Sequence, residues 1–110
     1  MIDTNKLPKV LADLLEAQKK FDSGSFVKNF ADNAIVHDEG GVYRGQKEIR
    51  QWNEATNKKY QTRMEPIAYE TNGNENILTI RMSGTFPGSP VTARFHFVLM
   101  GEKIASLRID

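Results

Sequence analysis

Cysteine is absent from the 110 residues. Its absence removes thiol nucleophiles, structural disulfides and thiolate-bound zinc, and fits a reducing compartment. Net charge is nearly absent too: 15 lysines and arginines face 14 acids, leaving +1. That balance argues against nucleic acid as a main partner, and pairs such as Lys19-Lys20 and Lys58-Lys59 read as solvated helix ends. No apolar run approaches the length of a membrane span, and the opening "MIDTNKLPK" has no signal-type hydrophobic core. Cytoplasm is the expected location. Repeats, low-complexity tracts and linkers are missing, so residues 1–110 are expected to form one domain, long enough for a core without staples.

What is present is patterned. Leu7, Leu11, Leu14, Leu15 and Gln18 follow helical spacing with Val10 beside them. Thr4 or Asn5 is a candidate cap, and Pro8 suits a first turn. "DSGS" breaks the chain, and Ser25 is a candidate cap for a short helix burying Phe26, Val27 and Phe30. A strand is expected from Ala34 to Asp38, then a turn segment bracketed by Gly40, Gly41 and Gly45. A third helix is expected from about Gln46 to Lys59, with Ile49, Trp52 and Thr56 on one side. Beyond Gln61 the period becomes two. Leu78, Ile80 and Met82 share one face against Thr79, Arg81 and Ser83. "VTARFHFVL" sets Val91, Ala93, Phe95, Phe97 and Leu99 against Thr92, Arg94, His96 and Val98. Helices first and antiparallel strands last is the α+β pattern.

Motif searches are mostly negative. The five serines form no Gly-x-Ser-x-Gly elbow, and "GGVYRG" lacks the Lys-Ser/Thr ending of a phosphate loop. His37 and Asp38 are neighbours on a strand and point to opposite faces, while His96 alternates with Phe95 and Phe97. A metal site from His37, His96 and Asp38 would need both faces of one sheet, so no metal is expected.

Three stretches taken together resemble the NTF2-like superfamily, in its SnoaL-like and ketosteroid-isomerase-like branch: "FVKNFADNAIVHDEGG", "YRGQKEIRQW" and "SGTFPGSPVTARFHFVLMGEKIASLRI". The resemblance covers nearly the whole chain. It implies an α+β cone, a strongly curved antiparallel sheet closed by three N-terminal helices around an apolar pocket, assembled as a homodimer. It also implies a catalytic carboxylate at Asp38, where the isomerases carry theirs at the end of the first strand. In those isomerases the surroundings of each carboxyl group set its proton affinity and hence its role. Their oxyanion-binding tyrosine and second aspartate fall on Leu14 and Phe95, so steroid isomerisation is not expected.

The expected site is therefore a lined pocket with one base. Asp38 is either that general acid/base or a solvated strand-end acid. Phe21, Phe26, Met82, Phe95 and Phe97 are expected to line the pocket, with plain packing as the alternative. Trp52 is expected in the core or at the ligand. Tyr43 is a candidate lid whose hydroxyl could replace the missing donor, and Tyr60 and Tyr69 could do the same. Glu39 reads as loop chemistry. No cofactor is expected. Two functions fit: an isomerase or cyclase acting on a small apolar enolisable carbonyl compound, or a non-catalytic module that binds an apolar ligand or dimerises. The dimer is expected through the outer face carrying Thr79, Arg81, Thr92, Arg94, His96 and Val98.

Overall fold

The leucine stripe becomes helix α1, Lys9–Lys19, in the computed structural model, which describes residues 2–110. Its entry differs from expectation. Asp3 caps a 3-10 turn over Thr4–Lys6, and Pro8 itself takes the N-cap position. Because proline holds an extended, non-helical conformation there and the helix needs no donor from it, no side-chain cap is used. At the other end Phe21 sits at a left-handed φ of 53°. Its N–H donates to the Gln18 carbonyl and that of Asp22 to the Ala17 carbonyl, a Schellman closure without glycine. Helix α2, Ser23–Val27, is capped by Asp22 rather than Ser25. The longer carboxylate reaches both the Ser25 N–H (3.1 Å) and its hydroxyl (2.8 Å).

Strand β1 runs Phe30–Asp38, four residues earlier than the apolar pattern suggests. Glu39 (φ 52°) and Gly40 (φ 78°) then form a two-residue hairpin turn of the mirror-image type. The turn returns β2, Gly41–Arg44, against β1 with Asp38 opposite Gly41. This segment was expected to be a turn alone. Its four residues are too few to show alternation, and the apolar Val42 is exposed while Tyr43 packs inward.

Helix α3, Gly45–Tyr60, carries the chain to the far edge of the sheet. Strands β3 (Arg63–Asn72), β4 (Glu75–Ser83), β5 (Val91–Met100) and β6 (Lys103–Ile109) come back by hairpins. The strand order is β2-β1-β6-β5-β4-β3. Four pairings are antiparallel, but β1 and β6 run parallel, because the crossover through α3 brings the last strand beside the first. The sheet is thus mixed rather than wholly antiparallel.

Register irregularities between Phe30 and Ile35, Pro66 and Ala68, and Val98 and Leu99 add twist and bend the ribbons. The concave face wraps the three helices. Leu11, Leu14, Phe26, Phe30, Val36, Ile49, Leu78, Ile80, Phe97, Ile104 and Leu107 meet there with almost no exposure. No helix among the described residues is long and apolar enough to cross a membrane.

Buried polar groups tie the helices together. Gln18 of α1 donates to Asn57 Oδ1 and to the Thr62 carbonyl, both at 2.8 Å, and accepts from Asn53 Nδ2 at 2.9 Å. Ser23 of α2 donates to Asn53 Oδ1 at 2.5 Å, and Asn57 donates to the same oxygen at 3.1 Å. Each partner is satisfied, as interior polar atoms must be. The β4–β5 loop is fixed in a similar way. The Thr85 N–H donates to the Tyr60 carbonyl at 2.8 Å, and a Cβ at Gly84 would run into that same oxygen. Only glycine lets the loop lie so close to the end of α3.

Candidate active site

Strand parity delivers the first site residue. Ala34 and Val36 face the core, each with no exposure, so Asp38 emerges on the same side. His37 faces outward and is exposed. The Asp38 carboxyl forms part of the wall of a cavity of about 380 Å³ between α3, the inner faces of β4 to β6 and the β4–β5 loop. That volume suits a small metabolite.

Most of the wall is apolar: Met64, Met82, Phe86, Pro87, Val91, Phe95 and Ile109. The polar atoms come from Asp38, Glu39, Trp52, Thr56, Tyr60 and Thr62. Helical periodicity places Trp52, Thr56 and Tyr60 on one stripe of α3, four residues apart. At the rim Tyr60 meets Phe86 edge to face, with centroids 5.7 Å apart at 81°.

Burial dominates the electrostatics of Asp38. It pushes the carboxyl above its ordinary proton affinity, and the Glu39 charge adds to the shift. One contact opposes them: Trp52 Nε1 donates to Asp38 Oδ2 at 3.2 Å, stabilising the ionised form. The indole is held by two rings, stacked on Tyr43 (5.7 Å, 29°) and tilted against Phe26 (6.3 Å, 54°). Gly41 makes room for this arrangement, since a Cβ there would lie 2.8 Å from the Tyr43 hydroxyl oxygen. A carboxylate of raised proton affinity on the wall of an apolar hollow can accept a proton from a weak carbon acid and return it elsewhere.

The structure brings Asp38, Trp52, Met82 and Phe95 together at the cavity. Tyr43 lies behind Trp52, in a shallower groove that shares Glu39, Trp52, Thr56 and Tyr60 with the cavity. Phe26 is buried against the indole. Phe97 lies deeper in the core, 6.2 Å from Phe95. Phe21, held at the end of α1, lies under the Arg63 guanidinium at 5.4 Å. These last three do not line the cavity. Of the tyrosines weighed as donors, Tyr60 is at the wall, whereas Tyr69 spends its hydroxyl on Asn76 Oδ1 at 2.5 Å. Thr62, Met64, Phe86, Pro87 and Ile109 were not singled out in the sequence, and Val91 was read only as a member of the Phe95 face of its strand. Thr56 and Tyr60 were legible as i+4 and i+8 from Trp52, and Glu39 reaches the rim through its left-handed backbone.

His96 lies on the outer face. It is buried between Glu75 (3.6 Å) and Asp110 (3.0 Å), with Nδ1 lacking a hydrogen-bond partner. Among the described residues no group of His, Asp and Glu has the makings of a metal site.

Comparison with known proteins agrees with this architecture. No curated protein matches the chain. A candidate polyketide cyclase from Sinorhizobium meliloti is 30% identical over 99% of this chain and 100% of its own, with a TM-score of 0.94. At 22% identity, an epoxide hydrolase/cyclase-like enzyme with a role in pyran ring formation in polyether salinomycin superposes with a TM-score of 0.80, over 99% of this chain and 92% of its own. A ketosteroid-isomerase-like fold from Catenulispora acidiphila, solved with trimethylamine, is 16% identical with a TM-score of 0.82, over 94% and 85% of the two chains. The SnoaL-like domain model matches residues 11–107, nearly the whole length from α1 to β6. With that match, the chain belongs to the SnoaL-like domain family.

Proposed function

We propose that this protein is an isomerase or cyclase acting on a small, largely apolar, enolisable carbonyl compound, with Asp38 as the general acid/base. The observation that carries the reading is the Asp38 carboxyl at the wall of an apolar cavity, its proton affinity raised by burial. The similarity to a candidate polyketide cyclase and to a cyclase-like enzyme supports the reaction type.

In the proposed step the Asp38 carboxylate removes a proton from the carbon next to the carbonyl. The C–H pair moves into the C–C bond and the carbonyl pair onto oxygen, giving an enolate and a neutral carboxylic acid. Returning the proton to another carbon isomerises the compound. Attack of the enolate carbon on a second carbonyl of the same molecule closes a ring, and the acid then protonates the resulting alkoxide. Tyr60 and Thr62 bring hydroxyls to the cavity wall that can donate to the developing negative oxygen, in keeping with donors aimed where charge appears, whereas the Thr56 hydroxyl already donates to the Asn53 carbonyl at 3.0 Å.

Asp38→Asn tests this against simple binding. Across a panel of enolisable ketones and linear diketones, turnover in the variant should fall about 10²- to 10⁴-fold, the usual worth of a positioned acid/base. Ligand-dependent thermal stabilisation should persist, since it needs only affinity for the folded state. Stabilisation by the same ligands without any Asp38-dependent turnover would replace the enzyme with a binding module.

We also propose that two copies pair through the outer sheet face. It joins Thr79, Thr92 and Val98 to charges of both signs, Arg94 with Glu70 and Arg108 with Glu75, and a face of mixed charge can meet itself across a two-fold axis. Sedimentation at micromolar concentration should give twice the 12.5 kDa chain mass. A single-chain mass there would end the assignment.

A further inference from the structure

We infer that Trp52 is the positioning residue for Asp38: its indole N–H holds Oδ2, leaving Oδ1 as the oxygen that exchanges the proton with the ligand. The inference rests on the acid/base reading of Asp38 for its purpose, though not for its geometry. The hydrogen bond joins α3 to the end of β1 at 3.2 Å, and Trp52 is the donor that reaches this carboxyl among the described residues. The indole has little freedom to leave. Tyr43 stacks on it, Phe26 packs against it at a tilt, and the residue is 8% exposed.

A terminal carboxyl torsion is soft and roughly two-fold, so an untethered aspartate at a cavity wall would present either oxygen over a range of angles. Fixing one oxygen from the protein side selects the other for the ligand. Acid/base efficiency depends on that geometry first and on proton affinity second. The same N–H also sets a ceiling. It favours the ionised form against burial and against Glu39, so Asp38 stays a usable base.

The chain contains one tryptophan, hence one indole N–H signal in a ¹⁵N-labelled sample. Titrating the ligand-free protein, that signal should move through a transition centred above the ordinary aspartate range of about 4. In Asp38→Asn the transition should vanish. Other titratable groups around the indole are Glu39 at the turn, Tyr43 of β2, and Glu48, Lys59 and Tyr60 of α3. Glu39→Gln should keep the transition but lower its midpoint, which assigns the movement to Asp38. An indole signal that ignores pH, or one that titrates unchanged in Asp38→Asn, overturns the inference.

Trp52→Phe keeps a ring between Tyr43 and Phe26 but removes the N–H. The Asp38 carboxyl, followed by ¹³C, should then titrate at higher pH, and the rising limb of any pH–rate profile should move the same way. A merely structural tryptophan would lower turnover without moving either midpoint. The two readings fail separately: an indole that titrates with Asp38 beside undiminished turnover in Asp38→Asn refutes the catalysis alone.

Discussion

Asp38 holds its place at a cost to the fold, because a half-buried carboxylate gives up part of its hydration. One side-chain donor offsets that loss, where a stably buried carboxylate would gather two or three. The position itself follows from alternation along β1, since Ala34 and Val36 fix which way residue 38 must face. Its partner does not follow from any local pattern. Trp52 is 14 residues away on another element, and its N–H reaches Asp38 only because the stack with Tyr43 and Phe26 orients the ring. The fate of the phenylalanines has the same cause. Phe95 and Phe97 share a face of β5, yet the curvature of the sheet opens a hollow beside the first and closes the core over the second. Phe21 lies just past the end of α1, where a left-handed turn sets it under Arg63, and residue type alone says nothing of that.

At the scale of elements, the amphipathic stripe and the period-two strands were readable because each buries one face. Helices α1 and α3 and strands β4 and β5 accordingly lie close to their expected spans. Elements that rely on partners were harder to read. Strand β2 exists through its pairing with β1, and the parallel match of β1 with β6 depends on contacts some seventy residues apart in the chain. Gln18 shows the limit most clearly. It sits on the apolar stripe of α1, but the structure uses it as the hub joining α1, α3 and the chain after α3. Gln18→Leu would match the stripe and orphan three groups: the Asn57 Oδ1 and Thr62 carbonyl acceptors and one Asn53 amide hydrogen. Unsatisfied buried groups cost about 1–3 kcal/mol each and do not add fully, so a loss of about 3 kcal/mol is expected. Urea unfolding should show a lower midpoint at an unchanged slope. A loss below about 1 kcal/mol would mean the amides re-pair among themselves.

Taken whole, the molecule sets an inner carboxyl against outer ones, and the two kinds respond to acid in opposite senses. Burial, with Glu39, raises the proton affinity of Asp38. The folded state therefore keeps that proton over a pH range where the unfolded chain has lost it. Stability falls as pH climbs through the range, and the full penalty applies above it. On the outer face Asp110 is lowered, first by its hydrogen bond to His96 and then by Arg108. Its contribution is complete above the ordinary aspartate value of about 4 and is lost as pH falls through the lower folded-state value. Replacing each acid by its amide should separate the two. Asp38→Asn should melt higher than the parent at pH 7, because it removes a penalty. Asp110→Asn should melt lower, because it removes a support. As pH drops, the parent protonates Asp38 above the ordinary aspartate value of about 4 and Asp110 below it. Both differences should shrink, and the variant curves should approach the parent from opposite sides. Melting curves followed by circular dichroism between neutral and acid pH would check this. If Asp38→Asn melts below the parent at pH 7, the carboxyl is a structural anchor and not a strained base, and the case for proton transfer at this cavity falls with it.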